Sequence, residues 1–538
     1  MKNRLKNLQR DTNKWSIFLL AIILFVSIPI VTIFINLVYG PGETWSHLLE
    51  NVLPNYIQNS FILVIGTSIL TLLFGISSAW IVSRYHIPLR KQLEWLLILP
   101  LAIPSYITAY AYAGVFDYAG VVEKVFSLKI DIMNHSGLIF VLSVSLYPYV
   151  YVASRAFFLN QSNNIIEASK LLGSGEWKTF YKLILPLARP AFIGGLILVL
   201  MEVLNDYGAA KYYGINTFTT GIFRAWFSLE EPQTAIYLSA VLVLIIFLLI
   251  TVEKWQRRKI GYFNAIKNHQ QLKRITCSTK KRVVFFMIAF FPVLVGFLIP
   301  IFQLLYWVYL TFDEVFSTDF IAVALQSFGL SVISALCTVV FALLLIFLSK
   351  WNRLFFMKSL AKIGILGYAI PGAVIAVGIL IPTIFIDKWF ISIYKDVFNQ
   401  KIGFIINGTI LALVYAYIIR YLAVAYNPIE ATSLKFGNSL SESSKILGKG
   451  NIRTFVKIEL PLLKPAILSA FILVFVDVMK ELPLTLLLKP YHISTLAVKA
   501  YEYASDELIA EAALPSLFIV LTGILPILFL NKLIAKKN

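Results

Sequence analysis

Long apolar runs constrain this chain more than any other feature. Crossing the roughly 30 Å hydrocarbon layer of a bilayer takes about 20 mostly apolar residues. Runs of that kind occur at 15–39, 58–83, 92–114, 137–158, 191–210 and 235–253, and again at 283–310, 326–349, 363–385, 403–425, 465–484 and 513–531. Hydrocarbon offers backbone N–H and C=O groups no partner, so each run must close its hydrogen bonds as a helix or within a barrel. Unbroken apolar runs lack the in–out alternation of barrel strands. The expected fold is therefore all-α: a polytopic membrane protein with about twelve transmembrane helices. Composition agrees, with 14% charged residues against roughly 25% in soluble domains. The opening "MKNRLKNLQRDTNK" has the basic character of a signal peptide, but the run from Trp15 to about Tyr39 is too long for one. No A-x-A-like site follows it, so it is expected to be a retained first span.

The formal charge of +19 would point to nucleic acid in a soluble protein. Its distribution points elsewhere. With residue 1 inside, segments 1–14, 84–91, 155–190, 254–282, 350–362, 420–464 and 532–538 face the cytoplasm and hold 37 of the 47 Lys and Arg. That asymmetry satisfies the positive-inside rule and places both termini in the cytoplasm of a cell (inner) membrane protein. The basic run 254–282 is explained as a cytoplasmic linker, with no nucleic-acid partner. Cys277 and Cys337 form neither a disulfide framework nor a CxxC metal pair.

The two sets of six spans are copies. Residues 167–191, "EASKLLGSGEWKTFYKLILPLARPA", share fourteen of twenty-five letters with residues 442–466, "ESSKILGKGNIRTFVKIELPLLKPA", at an offset of 275. "NSFIL" (59–63) matches "QSFGL" (326–330), and "AIP" (102–104) matches "AIP" (369–371), at an offset of 267. "EVLNDYG" (202–208) aligns with "DVMKELP" (477–483), setting Glu202 over Asp477 and Asp206 over Glu481. Residues 1–253 and 283–538 thus form two six-span repeats joined by the basic linker 254–282. Six spans separate equivalent points, so the repeats are parallel, related by an axis along the membrane normal with a pathway between them.

Each repeated stretch falls inside, between the fourth and fifth spans of its half. Ile165, Ala168, Leu171 and Leu172 share one face at helical spacing. Gly173 and Gly175, like Gly448 and Gly450, break the helix. A second helical stretch carries Trp177, Phe180 and Tyr181, or Ile452, Phe455 and Val456. Leu185-Pro186 and Leu460-Pro461, with Pro190 and Pro465, are expected to close the loop before the next span. The outcome is a short helix–turn–helix with apolar knobs suited to a partner's groove. An interfacial helix on the lipid surface would explain amphipathicity, but not two copies with matching Gly and Pro.

The spacing of Glu167, Ala168, Gly173, Leu185 and Pro186, with Leu183 at an Ile position, resembles the signature loop of importer-type ABC transporter permeases. The second copy fits through Glu442, Gly448, Ile458, Leu460 and Pro461, and departs at Ser443, where the family has Ala. The resemblance implies a type I ABC importer permease fold. It also implies coupling helices that each seat in a cytoplasmic ABC ATPase subunit, two ATPase copies per chain, and an extracytoplasmic solute-binding protein as donor. ATP and Mg would be bound by the partner ATPase. The chain itself holds no G-x-x-x-x-G-K-[ST] phosphate loop and is not expected to be an enzyme or to carry a cofactor.

The fused twelve-span layout, with "LPLAIPSYITAYAY" (99–112), "MEVLNDYGAAKYYGINTFTTGIFRAWF" (201–227) and "KELPLTLLLKP" (480–490), resembles the ferric-iron permease branch, although thiamine and phosphonate permeases share the layout. Ionisable groups in membrane spans default to a functional reading, which singles out Glu202, Asp206, Asp477, Lys480 and Glu481 as pathway residues. Paired carboxylates suit a hard cation such as Fe³⁺. They equally suit helix capping, pairing with Lys211 or Lys480, or contact with the binding protein, and no His or Cys joins them as a metal-ligand set. Pro104 and Pro371 are expected to kink the third spans, or to act as gate hinges. Tyr106 and Tyr110 share a face and, with Tyr112, fit an interface belt or a pore lining. A gradient-driven secondary transporter would leave the duplicated loop unexplained and would need a charged G-x-x-x-D-R/K-type loop where this chain has "RYHIPLRK" (84–91).

Overall fold

In the computed structural model the apolar runs are helical throughout. The structure describes residues 14–118, 120–159, 163–259, 274–350, 364–399, 403–436 and 439–535. No strand forms among these, apart from an isolated pairing of Tyr85 with Ile275. The basic N-terminal segment, most of 350–362 and the central part of the linker lie outside the described residues.

The first half comprises α1 (Trp15–Tyr39) and α2 (Leu53–Arg84), then Arg90–Ala102 leading into α3 (Ser105–Val115). There follow α4 (His135–Leu159), the short α5 (Asn163–Leu171), α6 (Glu176–Asn205), the short α7 (Gly208–Tyr212) and α8 (Pro232–Val252). The second half repeats the order with α9 (Thr279–Val315), α10 (Thr318–Lys350), α11 (Gly372–Phe398) and α12 (Ile410–Lys435). It ends with α13 (Ser439–Ile446), α14 (Asn451–Met479), α15 (Pro483–Leu488) and α16 (Ala513–Ala535). Ten of these helices are long and apolar enough to cross a membrane, and the bent pair ending in α3 makes an eleventh.

Two expected spans of each half are interrupted. The third is not kinked but broken: Arg90–Ala102 and α3 meet at 94°. Pro104 stands as the residue before α3, and Pro371 stands before α11 in the same way. Proline has no N–H to give, so it fits the first turn of the new helix but not the interior of an old one. The fifth spans stop at Asn205 and Met479 and restart as α7 and α15.

Helices α2, α4 and α6 pack as a triad, matched by α10, α12 and α14. Small residues let the first triad close up. A Cβ on Gly75 would lie 2.7 Å from Val150 Cβ, and one on Gly195 would lie 2.7 Å from the Tyr149 carbonyl. The first helix of each half crosses to the other half. Helix α1 lies on α11, where a Cβ on Gly378 would fall 2.5 Å from the Pro29 carbonyl. Helix α9 lies on α3, where a Cβ on Gly114 would overlap the Trp307 ring. The two repeats are therefore interlocked rather than side by side.

Candidate functional site

The repeated loops have the same backbone. Around Gly173 (φ +77°) the Leu172 N–H donates to Ala168 O (3.1 Å) and the Ser174 N–H to Ser169 O (3.1 Å). Around Gly448 (φ +72°) the Leu447 N–H donates to Ser443 O (3.2 Å) and the Lys449 N–H to Ser444 O (3.1 Å). This is the left-handed helix ending for which glycine is suited. The departure at Ser443 changes nothing in it, because the bond uses the backbone carbonyl. A hydroxyl pair then clips the two limbs of each loop: Ser169 with Thr179 at 2.9 Å, and Ser444 with Thr454 at 2.8 Å. Gly175 and Gly450 have negative φ, so only the first glycine of each pair is demanded by the backbone.

The prolines do not end the loop, contrary to expectation. Both fifth spans run through them, and a π turn (Phe180–Ile184; Phe455–Glu459) sits immediately before Leu185-Pro186 or Leu460-Pro461. The Leu185 N–H reaches back to Phe180 O, and the Leu460 N–H to Phe455 O. A π turn thus absorbs the missing proline donor without stopping the helix. Each loop is also tied to the end of its half's second span. Glu167 and Glu176 exert attraction on Arg84, while Lys350 pairs with Glu459 at 2.7 Å. Glu167, Ala168 and Glu442 are exposed. Beyond these ties, each loop presents bare apolar side chains at equivalent places: Leu172 (85% exposed) and Leu447 (75%), flanked by Leu171 and Trp177 or Ile446 and Ile452.

The four helix breaks meet around one cavity of about 100 Å³. Asp206, in the break after α6, accepts from the Ala209 and Ala210 N–H groups (3.0 and 3.2 Å) and from the Ser105 hydroxyl. Glu481, its counterpart, accepts from the Leu484 N–H (3.1 Å) and the Tyr421 hydroxyl (2.7 Å), and pairs with Arg420 at 3.2 Å. Glutamate is one carbon longer than aspartate. The second repeat accommodates this with Gly372 where the first has Ser105: a Cβ there would lie 2.7 Å from Glu481 Oε1. Lys480 pairs with Asp477 at 2.8 Å. Glu202 accepts a long bond, 3.4 Å, from the Tyr368 hydroxyl. The halves meet across the cavity: the Gly372 N–H donates to Asn205 Oδ1 (2.8 Å) and the Tyr106 hydroxyl to Lys480 O (3.4 Å). Broken helices whose polar ends face a shared cavity are a familiar transporter device, because irregular backbone is tolerated in a membrane only where protein or water satisfies it.

All of Glu202, Asp206, Asp477, Lys480 and Glu481 line this cavity. Lys211 does not join them and is exposed on α7. Helix capping accounts for Asp206 and Glu481, and ion pairing for Asp477. No three His, Cys, Asp or Glu among the described residues are disposed to hold a metal ion. Tyr106, Tyr110 and Tyr112 are buried and so form no interface belt. Of the three, Tyr106 lines the cavity.

The charge distribution sets Arg420 among the cytoplasmic residues of 420–464. It lies instead in mid-α12, 5% exposed, against Glu481. The string "LVYAYIIRYLAVAY" (413–426) held the signal, since a lone Arg in an apolar helix is an intramembrane ionisable group. Ser145, Tyr149 and Tyr368, uncharged residues with no such signal, also line the cavity.

Comparison with known proteins follows the repeat. The profile of the family described as "Binding-protein-dependent transport system inner membrane component" matches twice, at residues 71–260 and 330–538. An Fe(3+)-transport system permease protein of Haemophilus influenzae is 25% identical over 526 residues, covering 96% of this chain and 98% of the relative. A ferric transport system permease protein of Actinobacillus pleuropneumoniae is 23% identical over 497 residues, covering 86% of this chain and 69% of the relative. The sulfate transport system permease protein of Escherichia coli is 27% identical over 208 residues, covering 36% of this chain and 75% of the relative. Two matches in tandem, on halves whose loops and helix breaks fall at corresponding positions, make this chain a member of the binding-protein-dependent transport system inner membrane component family, with two copies of its permease unit fused in one multi-pass membrane protein.

Proposed function

We propose that this chain is the permease of an ATP-driven importer that carries ferric iron across the cell inner membrane, receiving it from an extracytoplasmic solute-binding protein. The observation that carries the cargo is the end-to-end likeness to a permease named for Fe(3+) transport. The cavity supports it: four carboxylates against two cationic side chains leave the lining net negative, and carboxylate and hydroxyl oxygens suit hard cations. A sulfate dianion would meet repulsion in the same place, which weighs against the likeness to the sulfate permeases.

In this reading both termini and both loops are cytoplasmic, and each loop seats its bare leucines in one ATPase subunit. One chain therefore takes two ATPase copies, which hold the ATP and Mg. Closure of the ATPases shifts the permease only through contacts that differ between the two states. The hydroxyl clips and inner ion ties make each loop a rigid extension of its fifth span, so a pull on a loop reaches the break that lines the cavity.

Proteoliposomes holding this chain, its ATPase and the loaded binding protein test the reading by uptake of radiolabelled ferric iron, thiamine, a phosphonate and sulfate. Uptake of iron alone, dependent on ATP and on the binding protein, is expected. Uptake of another solute without iron would overturn the cargo assignment, and uptake driven by an ion gradient without ATPase would overturn the class.

A further inference from the structure

The two walls of the central cavity come from equivalent segments, yet their electrostatics differ. On the second-repeat wall every carboxylate is compensated: Arg420 and Tyr421 hold Glu481, and Lys480 holds Asp477. At the offset of 275 the places of Arg420 and Tyr421 are taken by Ser145 and Leu146. The place of Lys480 is taken by Asn205, which is turned across the interface to the Gly372 N–H. The first-repeat wall therefore has no cation of its own. Asp206 is occupied by the start of α7 and by Ser105, which leaves Glu202.

Hydroxyls share the cavity lining with Glu202. Tyr149 lies beside Tyr368 in the lining, and the Tyr368 hydroxyl reaches Glu202 at 3.4 Å. Ser145 lies one turn before Tyr149 on α4, on the same face. Its side chain is 2% exposed and lines the cavity, and its hydroxyl has no hydrogen-bond partner. A buried hydroxyl is normally satisfied, so one left open in the lining of the cavity that holds Glu202, a carboxylate drawn to Arg420 and Lys480 but directly paired with neither, suits a group that comes and goes.

We propose that Glu202, with the hydroxyls of Ser145, Tyr149 and Tyr368, forms a transient coordination site for the ferric ion in transit. The assignment rests on the ferric reading above. Its chemistry is all oxygen, as a hard cation requires. One carboxylate with neutral hydroxyls attracts the ion without trapping it, and a pathway must bind weakly enough to release. The compensated second-repeat wall would then serve as the fixed side, its ion pairs holding the cavity's shape while the first-repeat wall meets the cargo.

The test uses the assembled complex in proteoliposomes, with ferric-loaded binding protein as the probe and copurification with the ATPase as the check on folding. Glu202→Gln is expected to lower maximal uptake roughly tenfold or more, while the KM for loaded binding protein, set by docking outside, stays within about twofold. Glu202→Asp, which keeps the charge, is expected to retain a third or more of the rate, and Ser145→Ala to lose about two- to fivefold. A merely structural role would not separate rate from KM in this way, nor be rescued by aspartate. Iron uptake by Glu202→Gln at the wild-type rate would overturn the site while leaving the ferric reading intact. Should that variant fail to assemble, wild-type uptake by Ser145→Ala would overturn it instead. Absence of iron uptake by the unaltered complex would overturn both.

Discussion

Arg420 and Glu481 each keep about 6% of their side chains exposed, and Arg420 also donates to Ile370 O at 2.9 Å, beside the break before α11. Removing one member of a buried pair strands the other charge, at a cost of about 3–5 kcal/mol, whereas removing both is far milder. Arg420→Met is therefore expected to lower the thermal midpoint of the detergent-purified protein sharply. The double change Arg420→Met with Glu481→Leu should recover much of the loss, as read by a thermal-shift assay. A single change as mild as the double would contradict the account. Glu202, Asp206, Asp477 and Glu481 were legible in the sequence because carboxylates in apolar runs stand out and recur at the repeat offset. Arg420 was not, because the count of cytoplasmic charge treats any Arg near a span's expected end as belonging outside it. Ser145, Tyr149 and Tyr368 carry no charge, and only packing reveals that they line the cavity with Glu202.

At the scale of elements, the glycines of the loops separate into two kinds. Gly173 and Gly448 need positive φ, and a side chain there costs roughly 1–2 kcal/mol of backbone strain. Gly175 and Gly450 have ordinary φ and open space around them. Replacing the first pair by Ala is expected to loosen both loops, seen as faster amide exchange over 163–185 and 439–460 and weaker ATPase copurification. Replacing the second pair should leave exchange unchanged. Equal effects would contradict the geometry. The loop's limits and its glycine break were legible from the duplicated string. Continuation of the helix through Pro186 and Pro461 was not, because proline ordinarily reads as a stop and the π turn that accommodates it leaves no mark in composition. The breaks at Asp206 and Lys480 were hidden for the opposite reason, since apolar residues continue on both sides.

For the molecule as a whole, twelve apolar runs and a parallel repeat were enough to indicate two six-helix halves. The exchange of first helices was not visible, since α1 and α9 are as apolar as their neighbours and nothing in their order says which half they cover. That exchange makes Gly378 a structural position: any Cβ there meets the Pro29 backbone at 2.5 Å. Gly378→Leu is expected to destabilise the protein by about 1–3 kcal/mol through overpacking. Separately expressed residues 1–259 and 274–538 should copurify, and should lose that association when the leucine is present. Copurification unaffected by the substitution would contradict the interlock.

In the proposed reading this single chain offers two equivalent ATPase docks. Native mass spectrometry of the complex purified through the permease reads it most directly, using Leu172→Asp and Leu447→Asp to charge the bare apolar side chains one loop at a time. The account predicts one permease with two ATPase subunits for the unaltered chain. It predicts a fall to one ATPase for either substitution and none for both together. A complex holding two permease chains, or one in which the double substitution leaves both ATPases bound, would contradict it.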